Sequence, residues 1–392
     1  ERHPAEWVML PANARRRHPV IEDRLAELRK LSETTPLNRM EMGDTALGII
    51  SSGVAFQYAK EAFPGASFLK LGMPYPLPAG LVREFASRVK ELWVVEELDP
   101  FMEGMVRELG ISCRGKERIP VCGELNPDIV RACVLGDPIP RPLQAQLPAR
   151  PPSMCPGCPH RAMLYALKRA KCFIAGDIGC YTLGFLPPLD AIDTCLCMGA
   201  GINQAHGMSR VFGPGAQKLA AVIGDSTFFH SGITGLLNLA YNRGSALIVI
   251  LDNRTTAMTG AQNHPGTGVT IQGEHTVDID IENLVRAIGI EWVKTVNPYD
   301  LKSTRAAVQE ALDTKGPAVI ISRAPCVLLG RGAVPGKPLA VDADACTGCK
   351  VCISLGCPAL EFRGDRAYIN AFCTGCNVCA EVCPAKAIGG GA

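Results

Sequence analysis

Two apolar runs in the middle of the chain each end in a residue that can ligate a metal ion. The run AVIGDS carries Asp225 directly after Gly224, and the run ALIVILDN ends in Asn253, with a helix-like segment between the two. Carboxylate and amide oxygens are ligands that Mg2+ accepts, and the carboxyl ends of parallel strands meet at one edge of a sheet. The sequence therefore predicts a magnesium site at that edge, suited to a ligand with several negative charges, such as a diphosphate.

The same pair resembles the GDG…N motif of enzymes that use thiamine diphosphate. In that motif Mg2+ binds the diphosphate, and the backbone carbonyl at the position of Thr255 is the usual third ligand. Gly224 allows the backbone to approach the phosphate closely, and Ser226 stands where the motif has its second glycine. An Asp225 that only capped the following helix is the simpler interpretation, but it leaves Asn253 unexplained. We therefore expect thiamine diphosphate and Mg2+ at this edge.

The last part of the chain contains two runs of closely spaced cysteines, CTGCKVCISLGCP and CTGCNVCAEVCP. The second run has the spacing of bacterial two-cluster ferredoxins, in which three cysteines bind one 4Fe–4S cluster and the fourth binds the other. That rule predicts two clusters. One would be bound by Cys346, Cys349, Cys352 and Cys383, and the other by Cys373, Cys376, Cys379 and Cys357.

The first run departs from this spacing, because four residues separate Cys352 from Cys357 where the rule has three. An extra residue in a surface loop costs little, so Cys357 is kept as a ligand. Zinc is the alternative, since C-x2-C pairs also suit tetrahedral zinc. Two successive runs of four cysteines, each followed by proline, favour iron–sulfur clusters and hence electron transfer.

The overall composition limits the class of protein and the kinds of partner that can be expected. The chain has 392 residues, a formal net charge of +2 and 18 cysteines. The near-neutral charge gives no reason to expect a nucleic acid partner. No run of about 18 apolar residues predicts a membrane span, and no signal peptide opens the chain, so we expect a cytoplasmic protein. In that compartment, many cysteines indicate metal ligation and not a disulfide scaffold.

Alternating strand-like and helix-like segments position these residues. Between 41 and 135, apolar runs such as TALGIISSG and LWVVEEL alternate with amphipathic stretches, and 153–330 alternates in the same way. This order is typical of parallel α/β sheets. The first block has no GxGxxG sequence, so it is not predicted to bind a dinucleotide. The proline-rich segment 136–152 and the segment 330–339 are predicted to be linkers.

Taken together, several segments resemble the large (alpha) subunit of indolepyruvate:ferredoxin oxidoreductase, in the 2-oxoacid:ferredoxin oxidoreductase superfamily. The resemblance runs along the whole chain. Its most specific segments are MLPANARRRHP (9–19), PLNRMEMGD (36–44), LKLGMPYPLP (69–78), VVEELDPF (94–101), CPGCPHRA (155–162), GDIGCYTLG (176–184), DNRTTAMTGAQNHPG (252–266) and the cysteine-rich tail.

The resemblance implies a fold class and a domain order. The fold is α/β, with two parallel-sheet domains, one transketolase-C-like and one binding thiamine diphosphate, followed by a small ferredoxin-like α+β domain with two 4Fe–4S clusters. The expected ranges are 1–40 for a linker or the end of a preceding domain, 41–135 for the transketolase C-terminal-like domain, 136–152 for the linker, 153–330 for the thiamine-diphosphate-binding domain and 338–392 for the ferredoxin-like domain.

The resemblance also implies an activity and a set of site residues. The activity is thiamine-diphosphate-dependent oxidative decarboxylation of aryl pyruvates, such as indolepyruvate and phenylpyruvate, with coenzyme A, giving an aryl-acetyl-CoA, CO2 and reduced ferredoxin. By themselves, Cys155 and Cys158 could be a surface redox pair or zinc ligands; the resemblance implies instead a third 4Fe–4S cluster, proximal to the thiamine, bound by Cys155, Cys158, Cys180 and Cys326. The residues expected to bind the thiamine cofactor are Gly179, Cys180, Tyr181, Gly199, Gly224, Asp225, Ser226, Thr227, Asn253 and Thr255.

Partners are implied as well. Such an alpha subunit begins with a pyrimidine-binding domain that supplies a catalytic glutamate. That domain is missing from this sequence, so we expect another chain to supply it or the domain to have been removed. The other expected partners are an external ferredoxin and a small beta subunit related to the gamma chain of pyruvate oxidoreductases, assembled as a dimer of heterodimers.

Three other interpretations of the function stay open. A non-oxidative thiamine decarboxylase or synthase accounts for Asp225 and Asn253 but not for the tail. A non-catalytic electron-transfer subunit with a vestigial thiamine fold accounts for the tail but not for the intact metal ligands. Another 2-oxoacid:ferredoxin oxidoreductase would differ in pocket shape.

His206, His230 and His264 are either cofactor contacts or structural residues. The cysteines expected to be ordinary small buried residues are Cys113, Cys122, Cys133, Cys172, Cys195 and Cys197.

Overall fold

The computed structural model describes residues 1–140, 148, 150–213, 218–330 and 336–390. The chain divides into two compact units, Glu1–Leu147 and Pro148–Ala392. Both segments predicted to be linkers fall partly outside the described residues, the first at 141–147 and 149 and the second at 331–335, so these linkers stay predictions.

The first unit is built on a four-stranded sheet with the order β1–β3–β2–β4. Strands β2, β3 and β4 are parallel to one another, and β1 pairs antiparallel with β3 at one edge. The strands are β1 (Arg39–Glu41), β2 (Asp44–Ser52), β3 (Ala66–Leu71) and β4 (Glu91–Val95).

Both faces of this sheet are covered by helices, because neighbouring side chains on each central strand point to opposite sides. Ile49 belongs to the core on one face and Ile50 to the core on the other, and both are fully buried. The strand–helix alternation predicted for 41–135 is confirmed. The helices of the unit are α1 (Pro4–Trp7), α2 (Pro11–Thr34), α3 (Gly53–Ala62), α4 (Ala79–Ser87), α5 (Phe101–Glu108) and α6 (Pro127–Leu135).

The first 40 residues contain the helices α1 and α2, and their last part contacts the rest of the first unit. The carboxylate of Glu33, near the end of α2, accepts hydrogen bonds from the backbone N–H groups of Gly80 and Leu81, both at 2.8 Å. The side-chain amide of Asn38 donates to the carbonyl of Met73 at 3.1 Å. Strand β1 also begins two residues before the expected domain start at residue 41. The end of this segment therefore packs within the first unit.

The second unit contains a five-stranded, fully parallel sheet with the order β5–β6–β7–β9–β8. Strands β6 and β7 lie in the middle, and every one of their residues is buried. Their continuous apolar sequences are typical of strands covered on both faces. The strands are β5 (Phe173–Ala175), β6 (Leu219–Gly224), β7 (Leu247–Asp252), β8 (Trp292–Val296) and β9 (Ala318–Arg323).

Helices cover both faces of this sheet as well. The helix predicted after β6 is present, but it begins with the short α9, passes through a π-helical turn at Phe228–Gly232 and continues as α10. Such turns are frequent next to functional sites. Among the described residues, no helix is long and apolar enough to cross a membrane. The helices are α7 (His160–Arg169), α8 (Ala200–Phe212), α9 (Asp225–Thr227), α10 (Ile233–Tyr241), α11 (Ile281–Ala287) and α12 (Leu301–Asp313).

The cysteine-rich tail packs on the same side of the sheet as α7 and α12. Leu355, Val378 and Val382 of the tail belong to one hydrophobic core with Met163 and Leu164 of α7. Two antiparallel strand pairs, β10 with β13 and β11 with β12, frame the cysteine loops. The tail elements are β10 (Leu339–Val341), a 3-10 turn (Cys352–Leu355), β11 (Leu360–Arg363), β12 (Arg366–Ile369), α13 (Val378–Val382) and β13 (Ile388–Gly390).

Candidate active site

A cavity of about 510 Å3 lies at the carboxyl ends of β6 and β7. Nine of the ten residues predicted to bind the thiamine cofactor line it, and the tenth, Gly199, follows the lining residue Met198. The structure therefore brings together residues that are far apart in sequence. The nine are Gly179, Cys180, Tyr181, Gly224, Asp225, Ser226, Thr227, Asn253 and Thr255.

Asp225 is buried and held in place by the backbone. One carboxylate oxygen accepts a hydrogen bond from the N–H of Ser226 at 2.7 Å, and the other accepts from the N–H of Arg254 at 2.8 Å. His264 lies beside the second oxygen, with Nε2 at 3.1 Å, but it is not aligned for a hydrogen bond. A carboxylate with two backbone donors keeps its remaining lone pairs in a fixed direction, as a metal ligand requires.

Asn253 is oriented by a histidine that the sequence analysis did not single out. The Nδ2 atom of Asn253 lies 3.3 Å from Nε2 of His160. Because an amide nitrogen only donates, Nε2 must accept, and the imidazole ring is neutral. Burial lowers the pKa of His160 to about 4, against a smaller opposing effect of Asp225. The amide oxygen of Asn253 accepts only a long hydrogen bond, 3.3 Å, from the N–H of Thr255, which leaves a lone pair for a metal ion.

Two glycines of the cavity wall leave room for the ring of Tyr181. A Cβ atom on Gly179 would lie 2.4 Å from the ring of Tyr181, and one on Gly224 would lie 3.0 Å from the same ring. Ser226, which replaces the second glycine of the motif, accepts a hydrogen bond from the hydroxyl of Thr256 at 2.8 Å. These residues, with the oxygen ligands described above, fit a diphosphate bound through Mg2+.

A second Gly-Asp pair, at the end of β5, holds the start of α8. The fully buried carboxylate of Asp177 accepts hydrogen bonds from the N–H groups of Gly199 (2.8 Å), Gly201 (2.9 Å) and Ile178 (2.8 Å). Burial raises the pKa of Asp177, and these hydrogen bonds oppose the rise. Gly199 has a φ of +85°, which favours glycine. The segment GDIGC (176–180), a Gly-Asp pair after an apolar run, is the sequence signal for this role of Asp177.

Asp252, the residue before Asn253, is also buried and forms an ion pair. Its Oδ2 atom lies 2.7 Å from Nε of Arg323 on β9. Burial, and then the neighbouring Asp225, raise the pKa of Asp252, while Arg323 opposes both. The pair ties β7 to β9 at the edge where the cavity opens.

The four cysteines expected to hold a proximal cluster, here called the proximal set, lie close to one another. Burial, and then the thiols of Cys326 and Cys155, raise the pKa of Cys180, which lines the cofactor cavity. Burial raises the pKa of Cys158 to about 12, and Cys155 and Cys180 add to this rise. The N–H of Cys326 donates to the carbonyl of Asn253 at 2.9 Å, which fixes its segment beside β7.

Two cavities in the tail are each lined by four of its cysteines, in the grouping that the ferredoxin spacing predicts. The cavity of the inner set, about 470 Å3, is lined by Cys357, Cys373, Cys376 and Cys379, together with Cys158. The cavity of the outer set, about 330 Å3, is lined by Cys346, Cys349, Cys352 and Cys383.

The cysteines of the inner and outer sets surround open space. Within the part of the chain that the structure describes, no three His, Cys, Asp or Glu side chains converge closely enough to hold a single metal ion. Burial raises the pKa of Cys379 to about 12, and the neighbouring thiols of Cys376 and Cys357 add to the rise. Ligation to iron would stabilise such thiols as thiolates. The donor sets thus fit 4Fe–4S clusters, which stay a prediction.

Residues 177–322 match the family described as thiamine pyrophosphate enzyme, C-terminal TPP binding domain. This range contains β6, β7 and every residue that lines the cofactor cavity except His160. The match confirms an α/β thiamine-diphosphate-binding domain in this part of the chain.

Longer similarities identify the family of the whole chain. The indolepyruvate oxidoreductase subunit IorA of Methanothermobacter thermautotrophicus is 43% identical over 415 residues, which cover 98% of this chain and 66% of that protein. The IorA subunit of Archaeoglobus fulgidus is 40% identical over 418 residues, covering 99% of this chain and 67% of that protein. The chain belongs to the IorA family. The resemblance inferred from the sequence motifs is confirmed at this level.

This chain spans about two thirds of the length of these IorA relatives. The activity, substrates and partners of the whole IorA proteins are therefore proposals for this chain. A shorter similarity, 42% identical over 52 residues or 13% of the chain, is to the pyruvate synthase subunit PorD of Methanothermobacter marburgensis.

The remaining cysteines and histidines of this IorA family member lie in varied surroundings. His230 is exposed and contacts the hydroxyl of Ser231 at 3.1 Å, whereas Nδ1 of His206 is buried without a hydrogen-bond partner in the described structure. All 18 cysteines are unpaired. Of the six expected to be buried, Cys113 and Cys133 are buried, Cys172 and Cys195 are half-buried, and the expectation is wrong for Cys122 and Cys197, which are exposed.

Proposed function

We propose that the chain is the thiamine-diphosphate- and iron–sulfur-binding part of an oxidoreductase that decarboxylates aryl pyruvates, such as indolepyruvate and phenylpyruvate. Coenzyme A would accept the acyl group, and the products would be an aryl-acetyl-CoA, CO2 and reduced ferredoxin. The observation that carries this proposal is the position of Cys180. It lines the same cavity as Asp225 and Asn253 and also belongs to the proximal set, so an electron acceptor would lie directly beside the cofactor.

A continuous series of thiols supports the electron-transfer part of the proposal. Cys158 belongs to the proximal set and lines the cavity of the inner set. Cys352 of the outer set lies close enough to Cys379 of the inner set to raise the pKa of the Cys379 thiol. Cys349 of the outer set is exposed to solvent. The three sets therefore lead from the cofactor cavity to the surface, where an external ferredoxin would accept electrons one at a time.

The residues around the cofactor cavity would share the remaining work. Thiamine diphosphate, when bound, supplies an acceptor for the electron pair that CO2 leaves behind. Asp225, Asn253 and the carbonyl of Thr255 would hold the Mg2+ that binds the diphosphate. His160, neutral and buried, would keep the amide oxygen of Asn253 turned toward the metal. Apolar lining residues, among them the fully buried Leu251, would exclude water from the reacting atoms.

The proposal includes partners. The IorA relatives are named as subunits, which supports a second type of chain in the assembly. We propose a small beta subunit of the gamma type, a pyrimidine-binding domain that supplies the catalytic glutamate, and assembly as a dimer of heterodimers. The grouping of the tail cysteines around two cavities supports a ferredoxin-like tail with two 4Fe–4S clusters.

The test is anaerobic reduction of a viologen dye. The chain would be assayed with indolepyruvate, phenylpyruvate and pyruvate, each with and without coenzyme A, thiamine diphosphate and Mg2+, and in the presence and absence of the small subunit. We expect reduction that depends on coenzyme A and occurs with aryl pyruvates but not with pyruvate.

Two outcomes would contradict this function. Reduction of the dye with pyruvate, but with neither aryl pyruvate, would show that the substrate is a different 2-oxoacid. No reduction by the complete assembly, although dithionite reduces its clusters, would indicate an electron-transfer subunit whose thiamine fold is inactive.

A further inference from the structure

Arg161, in the first turn of α7, is a buried cation that the proposed function does not use. It is 5% exposed. Its two terminal nitrogens donate to four backbone carbonyls, those of Met154 (2.8 Å), Cys155 (3.4 Å), Leu355 (2.8 Å) and Gly356 (2.7 Å).

These four carbonyls lie in two loops that carry cysteines of different sets. Met154 and Cys155 open the CPGC turn of the proximal set. Leu355 and Gly356 immediately precede Cys357 of the inner set. Arg161 therefore connects the ligand loops of two different sets. Its hydrogen-bond acceptors in the second loop lie 194 and 195 residues further along the chain.

The second loop is also where the tail departs from the usual ferredoxin spacing. The segment between Cys352 and Cys357 has one residue more than the rule, and it ends in Gly356 with a φ of +65°. This left-handed turn presents two successive carbonyls to one guanidinium. The longer segment thus has a structural role, because it places the carbonyls of Leu355 and Gly356 within hydrogen-bond distance of Arg161.

The charge of Arg161 has no carboxylate partner in the described part of the chain; its four hydrogen bonds all go to neutral carbonyls. Its Nε atom is buried without any hydrogen-bond partner. A buried cation is unfavourable unless an anion compensates it. Arg161 lines the cavity of the inner set, together with Cys357, Cys373, Cys376 and Cys379. A cluster bound by these thiolates would supply the anionic group that compensates Arg161.

We propose that Arg161 compensates the negative charge of the inner-set cluster and makes this cluster easier to reduce. Its hydrogen bonds also hold the ligand loops of the proximal and inner sets together. The inference rests on the proposed function, since it requires the clusters. The step it favours is a one-electron transfer in which the proximal cluster is oxidised, the inner cluster is reduced, and no bond forms or breaks. A nearby cation stabilises the reduced form, which carries one more negative charge.

The test compares full-length variants prepared anaerobically, with a redox titration followed by EPR spectroscopy. The transition that is lost in Cys373→Ala marks the inner cluster. In Arg161→Gln, we expect the ratio of oxidised to reduced inner cluster at a fixed potential to rise about tenfold, which corresponds to about 59 mV for a one-electron couple. Arg161→Lys, which keeps the charge, should shift this ratio by less than about threefold.

Arg305→Gln is the matched control, because Arg305 is an exposed arginine of the same unit that stacks on Tyr165 with its guanidinium carbon 5.4 Å from the ring centre. It should not shift the inner cluster. An unchanged ratio of oxidised to reduced inner cluster in Arg161→Gln with full iron content would overturn the inference. A change of more than about tenfold in this ratio in Arg161→Lys would overturn it as well. The Arg161→Lys result also decides the matter if Arg161→Gln fails to assemble its clusters. Wild-type protein without iron and sulfide would instead overturn the proposed function.

Discussion

At the scale of single residues, the two predicted metal ligands are held by different kinds of partner. Asp225 accepts from two backbone N–H groups at 2.7 and 2.8 Å, whereas Asn253 has two contacts of 3.3 Å, one from the N–H of Thr255 and one with the ring of His160. The backbone donors persist when side chains are replaced, but the contact with His160 does not. Substitutions at the two ligands and at the histidine should therefore have separable effects.

Asp225→Asn should nearly abolish cofactor binding. The substitution keeps the size of the side chain but removes the negative charge that attracts Mg2+. Because loss of a group that only orients a ligand costs about ten- to a hundredfold in metal affinity, we expect loss of the ligand charge to raise the Kd for thiamine diphosphate in Mg2+ more than about a hundredfold. Isothermal titration calorimetry measures this. Asp190→Asn, which changes an exposed carboxylate paired with Lys168, is the control and should bind normally.

His160 should make the stability of the metal-free protein depend on pH. Its pKa is about 4 in the folded protein and 6.5 in the unfolded chain. Above pH 6.5 the imidazole of His160 is neutral in both the folded and the unfolded protein. As the pH falls below this value, only the imidazole of the unfolded chain takes up a proton. The free energy of unfolding should thus fall by about 2 kcal/mol between about pH 7 and pH 5 because of this residue.

Urea unfolding of the wild type and of His160→Gln at both pH values measures this contribution. The difference between the two proteins isolates the histidine, because other titrating groups are common to both. Equal losses of stability in the wild type and the variant would show that His160 is not buried in its neutral form.

At the scale of secondary-structure elements, the cavity depends on how α8 begins. The carboxylate of Asp177 binds the first N–H groups of that helix, while Gly199 turns the chain into it. The sheet supplies Asp177 from the end of β5, so the helix is fixed to the same edge that carries the metal ligands. The position of the lining residue Met198, just before α8, follows from this attachment.

Asp177→Ala should destabilise the second unit by about 3 kcal/mol, because three buried N–H groups would lose a charged acceptor. Hydrogen exchange should become faster in the first turn of α8. Asn126→Ala is a matched comparison, since Asn126 caps α6 in the first unit through one hydrogen bond to the N–H of Ile129. It should cost about 1 kcal/mol and leave exchange in α8 unchanged. Similar exchange in both variants would contradict the role of Asp177.

Much of this arrangement follows from local sequence, and the exceptions have physical reasons. The strand ends at Asp225 and Asn253 were predictable because parallel strands bring their carboxyl ends together. The cysteine sets were predictable from spacing. His160 was not, because its contact with Asn253 joins residues 93 positions apart. Arg161 was not, because no local pattern indicates that a surface-type residue at the start of α7 will be buried by a distant loop.

At the scale of the whole molecule, the tail and the thiamine-binding sheet share one hydrophobic core, although composition suggested a separate module after a linker. Val378 and Val382 pack with Met163 and Leu164. The hydroxyl of Tyr299 donates to the carbonyl of Gly157 at 2.8 Å, which fixes the CPGC turn on the start of α12. The spacing between the proximal and inner sets is therefore set by core packing.

Truncations should separate the two units but not the tail. Residues 148–392 have their own sheet and cores, so this fragment should fold and keep its iron content and its affinity for thiamine diphosphate. Residues 148–337 should bind a hydrophobic dye and aggregate, because removal of the tail exposes the core around Leu164. Thermal unfolding and iron analysis measure both. A stable, monomeric fragment 148–337 would contradict the shared core.

The solvent exposure of the three cysteine sets also has a consequence in air. The outer set contains Cys349, the one exposed cysteine among the twelve in these sets, whereas every cysteine of the proximal and inner sets is buried or half-buried. Dioxygen should therefore attack from the outside inward. A preparation handled aerobically would first lose its route for passing electrons onward while it still bound thiamine diphosphate, so its loss of activity would be mistaken for damage to the cofactor site.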